Sequence, residues 1–225
     1  MLARIASLLK NGDHFLLTTH RDPDTDGIGS MLALGTALAG AKKDVVVFTQ
    51  EPLHPPLDLL RGSEVIVHSL DPDERFSAII MLDCSEITRA GDLEGLFGKA
   101  GPLINIDHHI SNNLFGDLNL VDTGKSSTGE IVLEVIREAD LPIGYDVAEN
   151  IFAAIQADTG SFRYDNTTSE SLTAAAEMME YGVKPWQVYR NLMEGYGVSR
   201  LKLLKMALET LEFYQDGRIG MMTIS

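Results

Sequence analysis

Three short apolar runs in this chain stop abruptly at side chains that bind cations. Residues 14–19 (His-Phe-Leu-Leu-Thr-Thr) lead into His20-Arg-Asp-Pro-Asp24-Thr-Asp26, residues 78–82 (Ala-Ile-Ile-Met-Leu) end at Asp83, and residues 103–106 (Leu-Ile-Asn-Ile) end at Asp107-His108-His109. Continuous apolar runs this short read as strands covered on both faces, the pattern of a parallel sheet. Residues 28–38 carry helix formers and the small residues Gly29, Ala33, Gly35 and Ala37, suited to close packing on such a sheet. Residues 44–49 (Asp-Val-Val-Val-Phe-Thr) give another strand. The alternation predicts an α/β domain, a mostly parallel sheet flanked by helices. Functional groups in an open sheet of that kind gather outside the carboxyl ends of the strands. The three endings are therefore expected to converge despite their distance in sequence.

Further along, residues 52–56 read as a Pro-rich loop and residues 65–67 as a short strand. Residues 127–139 open with Ser127-Thr128-Gly129-Glu130, a capping-box pattern followed by a helical apolar repeat. Gly124-Lys125-Ser126 is not a P-loop, because that motif needs a glycine where this chain has Asn119. What remains is a helix N-terminus with hydroxyls at Ser126, Ser127 and Thr128, which either holds an anion or is simply well capped. Residues 146–157 form an apolar helix closed by Asp158-Thr159-Gly160, with Arg163 just beyond. Residues 169–181 and the chain from Trp186 onward are further helices, and Leu201, Leu204, Leu208 and Leu211 make a stripe that is core or, less readily, a homodimer seam. Asp216-Gly217 turns into a β-segment at residues 218–225. The expected organisation is a catalytic domain at 1–185, a linker helix region at 186–215, and the start of a truncated second domain at 216–225.

The 44% hydrophobic content of 225 residues suffices for a sizeable core. A formal charge of −15 argues against a broad basic surface for long duplex nucleic acid, so a phosphate-bearing substrate must be held by metals or a local basic spot. Cys84 is the single cysteine, which precludes an intramolecular disulfide and suits a reducing compartment. The N-terminus lacks a signal-peptide pattern, and no apolar run approaches the ~18 residues of a membrane span. A cytoplasmic protein with no membrane partner is expected.

The carboxylates of the strand endings repel one another and resist desolvation, and bound cations relieve both costs. His20, Asp24, Asp26, Asp83, His108 and Asp158 are too many ligands for one open ion and about right for two sharing a bridging carboxylate. The four carboxylates balance two divalent charges. Imidazole and carboxylate without thiolate suits Mn²⁺, Zn²⁺ or Fe²⁺ better than Ca²⁺. A pair of ions at ~3.5–4 Å is the usual device for in-line attack of water on phosphorus. Asp22, before a proline, reads as a loop cap, and Cys84 as a small buried thiol.

Taken together, His20-Arg-Asp-Pro-Asp24-Thr-Asp26, the strand-end Asp83, Asp107-His108-His109 and Asp158-Thr-Gly resemble the four signature motifs of the DHH phosphoesterase superfamily. The likeness spans about residues 14 to 165, with Thr25 between two acids and Glu86 after Asp83 as minor departures; a glycine-rich Gly-Gly-Gly-His motif of the family's second domain is not in this sequence. The resemblance implies that His20 and Asp24 bind one ion, that Asp26, His108 and Asp158 bind the other, and that Asp83 bridges. It implies catalytic roles for Asp83, His109 and Asp107, with His109 facing the substrate and Asp107 orienting its ring. Arg163, Ser126, Ser127 and Thr128 are expected substrate contacts. The implied cofactor is two divalent cations, Mn²⁺ first, with Mg²⁺ or another divalent ion as alternatives. The implied activity is hydrolysis of short oligoribonucleotides or 3′,5′-bisphosphonucleotides by a hydroxide bridging the ions. Cyclic dinucleotide phosphodiesterase, RecJ-type exonuclease and inorganic pyrophosphatase are the alternatives within the class. A non-catalytic nucleotide sensor is disfavoured, because every ligand and His109 are present.

Overall fold

The computed structural model describes residues 1–91, 101–193 and 198–224. Strands β1 (His14–Thr18), β2 (Asp44–Phe48), β3 (Ala78–Leu82), β4 (Leu103–Asp107) and β5 (Leu118–Val121) form one sheet in the order β2-β1-β3-β4-β5. Every neighbouring pair is parallel. The chain runs outward from β1 to β2 and then returns to lay β3 on the other side of β1. That reversal opens a crevice at the carboxyl ends of β1 and β3, where ligands bind in open α/β sheets.

The registers Leu17↔Ile80 and Ile80↔Ile104 align the side chains of three strands on one face. Phe15, Leu17, Ile80, Leu82, Ile104 and Ile106 lie on that face, beneath α2 (Thr25–Gly40), α3 (Thr128–Glu138) and α4 (Tyr145–Asp158). Leu16, Ile79 and Met81 point the other way and pack with Phe48, Phe76 and Ala90. Burial on both faces is why these strands read as unbroken apolar runs. Contact between α2 and α4 is close: a Cβ on Gly29 would stand 2.8 Å from the Asn150 carbonyl oxygen. Helix α1 (Leu2–Asn11) buries Ile5 and Leu9, and α5 (Ser169–Glu180) and α6 (Pro185–Met193) pack on α4. Among the described residues, no helix is long and apolar enough to cross a membrane.

Several expectations need correction. Helix α2 begins at Thr25, ahead of the helix formers at 28–38, with Asp24 as its N-cap accepting from the Gly27 N–H, and Asp26 sits in its first turn. Residues 65–67 are not a strand; a 3₁₀ turn at Ser63–Val65 is followed by one parallel bridge between Phe48 and Val67. Strand β5 was not anticipated. The chain ends in α7 (Val198–Glu209) and an antiparallel pair, β6 (Glu212–Tyr214) and β7 (Ile219–Met221). Leu201, Leu204, Leu208 and Leu211 are exposed there, so the stripe is not core among the described residues. Residues 194–197 of the expected linker, and Ser225, lie outside the described residues.

Candidate metal centre

Each expected ligand arrives at the crevice for a local reason. His20 follows β1, and its Nδ1 lies 2.6 Å from the Arg21 carbonyl oxygen. A carbonyl only accepts, so Nδ1 carries the proton and the Nε2 lone pair faces inward. Asp24 is the N-cap of α2. Asp26 is buried one turn further on, where its Oδ2 accepts from the Thr128 N–H (2.7 Å) and its Oδ1 from the Gly129 N–H (3.0 Å) and the Ser30 hydroxyl (3.2 Å). Asp83 follows β3 with φ +55, a left-handed turn that Asp tolerates better than most residues. His108 and His109 follow Asp107 at the end of β4. Asp158 closes α4. A carboxylate at that helix end meets the negative end of the helix dipole and is unfavourable there without a cation.

The six residues form two donor groups, His20–Asp24–Asp83 and Asp26–His108–Asp158. Asp83 reaches both. Its Oδ2 stands 3.8 Å from His20 Nε2, and its Oδ1 stands 3.7 Å from His108 Nε2. His108 Nε2 is also 3.6 Å from Asp26 Oδ2 and 3.4 Å from Asp158 Oδ2. Asp83 Oδ1 accepts from the Thr128 hydroxyl at 3.0 Å, but the buried Oδ2 has no hydrogen-bond partner. An orphaned carboxylate oxygen beside an imidazole lone pair costs free energy that a cation would recover. Gly27 keeps the space open, because a Cβ there would lie 2.5 Å from Thr19 Oγ1 and 3.3 Å from Asp83 Oδ2. On these observations the donor set fits a pair of divalent cations.

Electrostatics agree. Burial, followed by the charge of Asp24, pushes Asp83 up to about 8. Burial and the neighbouring Asp83 and Asp158 raise Asp26 well above the usual carboxylate range, and burial raises Asp158. Asp107 behaves differently. Burial pushes it up, but hydrogen bonds from His109 and Asn112 outweigh that and hold it below its ordinary value. His109 is raised to about 8, chiefly by its hydrogen bond to Asp107. Asp83, His108 and His109 also lie within ligating distance of one another. His109 Nδ1 is 2.8 Å from Asp107 Oδ1 and 3.6 Å from Asp83 Oδ1, so that nitrogen is committed to Asp107 and is not an available ligand.

Ser126, Ser127 and Thr128, expected as substrate contacts, are fully buried. Ser126 Oγ donates to Glu130 Oε2 (2.5 Å), Ser127 Oγ caps α3 through the Glu130 N–H, and Thr128 serves Asp26 and Asp83. The donors of Ser126, Thr128 and Gly129 at this helix N-terminus are directed at the protein's own carboxylates Glu130, Asp26 and Asp83. Arg163 is exposed, and its Nε donates to the Gly160 carbonyl oxygen at 2.7 Å. Asp22 belongs to neither donor group, and burial pushes the Cys84 thiol up to about 11, which suits a structural thiol.

Sequence reasoning missed Asn112, whose Nδ2 lies 2.6 Å from Asp107 Oδ2, 2.8 Å from Asn105 Oδ1 and 3.2 Å from the Cys84 carbonyl oxygen. It also missed Arg89, whose Nη2 is 3.1 Å from His20 Nδ1. Neither sits on a periodic apolar pattern, and the polar segment after His109 was the one hint in the sequence.

The model of the DHH family, N-terminal domain, matches residues 14–155. The chain is 33% identical over 204 residues to the bifunctional oligoribonuclease and PAP phosphatase NrnA of Thermus thermophilus, across 89% of this chain and 60% of that protein. It is 29% identical over 213 residues to the probable bifunctional oligoribonuclease and PAP phosphatase NrnA of Streptococcus mutans, across 95% of this chain and 67% of that protein. The crystal structure of an exopolyphosphatase-related protein from Bacteroides fragilis superposes with a TM-score of 0.89 at 25% identity, covering 99% of this chain and 68% of that one. The chain thus spans 60% of the length of the Thermus relative.

Proposed function

The chain belongs to the DHH family, and from that premise we propose that it is a divalent-cation-dependent phosphoesterase of short oligoribonucleotides or 3′,5′-bisphosphonucleotides. The observation that carries this reading is Asp83, which belongs to the donor group of His20 and Asp24 through Oδ2 beside His20 Nε2 and turns Oδ1 to within 3.7 Å of His108 Nε2 in the other group. The oligoribonuclease and PAP phosphatase activities for which the Thermus and Streptococcus relatives are named favour this substrate class over cyclic dinucleotides or pyrophosphate. The charge of −15 also favours a small substrate over a long polyanion.

In this reading His20 and Asp24 would hold one ion, Asp26, His108 and Asp158 would hold the other, and Asp83 would serve both. Two imidazoles and four carboxylates without thiolate suit Mn²⁺. Such a pair supplies Lewis acidity to the phosphoryl group and acidifies the attacking water. The remaining work belongs to the protein. His109, half-exposed and kept cationic by Asp107, donates to a phosphoryl oxygen or to the leaving group. Ser126, Ser127 and Thr128 hold Asp26, Asp83 and Glu130 in place from below, and Arg163 meets phosphate at the rim through its planar fork. The free buried thiol suits a reducing compartment, and the protein is assigned to the cytoplasm.

The test is a substrate panel on metal-stripped protein, with and without added Mn²⁺: a ribodinucleotide, an adenosine 3′,5′-bisphosphate, a cyclic dinucleotide and pyrophosphate. Hydrolysis of the first two that appears only with Mn²⁺ is expected. Metal-independent turnover, or turnover of pyrophosphate alone, overturns the reading.

A further inference from the structure

One cation beside the centre plays no part in holding metals. Arg89 lies in the 3₁₀ turn Ile87–Ala90 after β3, and its carbonyl oxygen accepts from the Arg21 N–H at 2.8 Å, which ties that turn to the loop after β1. Its Nη2 stands 3.1 Å from His20 Nδ1. That nitrogen already carries a proton for the Arg21 carbonyl oxygen at 2.6 Å, so two donors face each other and the guanidinium gains no acceptor there. Among the described residues no carboxylate pairs with Arg89, although the chain carries a charge of −15. The side chain is exposed. An accessible guanidinium that is short of acceptors, on a turn tied to the loop after β1, is arranged for an anion that comes from solvent.

Its position says which anion. His20 turns Nε2 toward Asp83 and Nδ1 toward Arg89, so the guanidinium is set off from the donor group by the width of an imidazole ring. It is displaced from a phosphoryl group held at the donors and placed for the next phosphate along the same ligand. A groove on that side is lined by Arg21, Pro23, Gln50 and Ala90 together with the carboxylates Asp22 and Glu51, and Arg21 Nε donates to Gln50 Oε1 at 2.8 Å.

We propose that Arg89 is a specificity-determining residue that binds the non-reacting phosphate of a substrate bearing two phosphates. This rests on the phosphoesterase reading and names the feature by which the site selects its substrate.

The test is calorimetric binding of adenosine 3′,5′-bisphosphate, adenosine 3′-monophosphate and adenosine 5′-monophosphate to the full chain loaded with Ca²⁺. Wild type is expected to prefer the bisphosphate over either monophosphate by about ten- to a hundredfold, the worth of a charge-assisted contact. Arg89→Ala should reduce that ratio to within about threefold of unity, and Arg89→Lys should restore part of it. Equal weakening of all three ligands in Arg89→Ala, or a wild-type chain with no preference or no binding, overturns the proposal. Binding selectivity is read without turnover, so a chain that selects the bisphosphate through Arg89 but hydrolyses nothing with Mn²⁺ would sink the phosphoesterase reading alone.

Discussion

Asp83 Oδ2 lies 3.8 Å from His20 Nε2, buried and without a hydrogen-bond donor, while the other oxygen of the same carboxylate takes the Thr128 hydroxyl. A lone pair that is desolvated and unpaired is a standing cost unless a cation occupies the space between the two groups. Asp83→Asn is the sharpest probe. Asn tolerates the left-handed backbone at this position, so the turn survives while one charge and one ligand oxygen are lost. Metal content should fall from two ions per chain to one or fewer, and kcat/KM on the preferred substrate should drop by about a hundredfold or more. Wild-type metal content measured by elemental analysis of the variant would contradict the shared-ligand assignment.

Gly27→Ala tests the space beside Asp83 that the proposed ions would need. Alanine in a helix interior ordinarily gains about 0.5–1 kcal/mol over glycine. Here the added Cβ would lie 2.5 Å from Thr19 Oγ1 and 3.3 Å from Asp83 Oδ2, so the variant should be less stable and bind metal more weakly. Thr19 Oγ1 has no hydrogen-bond partner, and its removal is therefore cheap. Thr19→Ala combined with Gly27→Ala should recover the melting temperature but only part of the metal affinity. Full recovery of both would place the effect of Gly27 on helix packing alone.

The distance between sequence and structure is uneven across this site. His20, Asp83 and His108 were legible because burying a polar residue at the end of a strand is costly unless that residue binds something. Asp26 was legible as a candidate ligand, but its helix start was hidden by Gly27 and Gly29, which lower helix propensity while permitting close approach to Thr19 and α4. Strand β5, Leu-Asn-Leu-Val, is a short edge strand with a polar residue inside it, so no apolar run announced it. Ser126, Ser127 and Thr128 resembled an anion site, and the missing information was long-range: Asp26 lies 102 residues before Thr128 in sequence yet fills that site. Asn112 and Arg89 reach the site through tertiary contacts, to Asp107, Asn105 and Cys84 in one case and to His20 in the other, which no local pattern encodes.

Stability of the metal-free chain should fall as pH rises. Asp26, Asp83 and Asp158 are all raised in the folded state, against about 3.9 for an unfolded aspartate, and His109 is raised to about 8. Groups shifted upward stabilise the fold at low pH and lose that contribution as pH passes through their folded values, which reach about 8 at Asp83 and His109. Asp107, shifted downward, contributes above about 4 and stays constant across this window. Thermal unfolding in chelator should therefore give a melting temperature that declines between about pH 5 and pH 8. Saturating Mn²⁺ should reverse the decline, with proton release on binding, because the ions displace protons from the same carboxylates. A chelated protein whose melting temperature rises steadily toward pH 8 would contradict the assignment.

His109 and His108 are adjacent but should separate cleanly in function. His108 Nε2 lies within 3.7 Å of Asp26, Asp83 and Asp158, whereas His109 commits Nδ1 to Asp107 and is the more exposed of the two side chains, 38% against 13%. His108→Ala should lose metal and activity together. His109→Ala should keep both ions and lose about 10²- to 10⁴-fold in kcat, the range for removal of a proton donor. Asp107→Asn should keep both ions and lose less kcat than His109→Ala, about 10- to 100-fold, because the imidazole stays and loses only the carboxylate that orients it. If His109→Ala instead releases an ion, His109 is a ligand and the donor group Asp83–His108–His109 replaces the assignment of His109 as a proton donor.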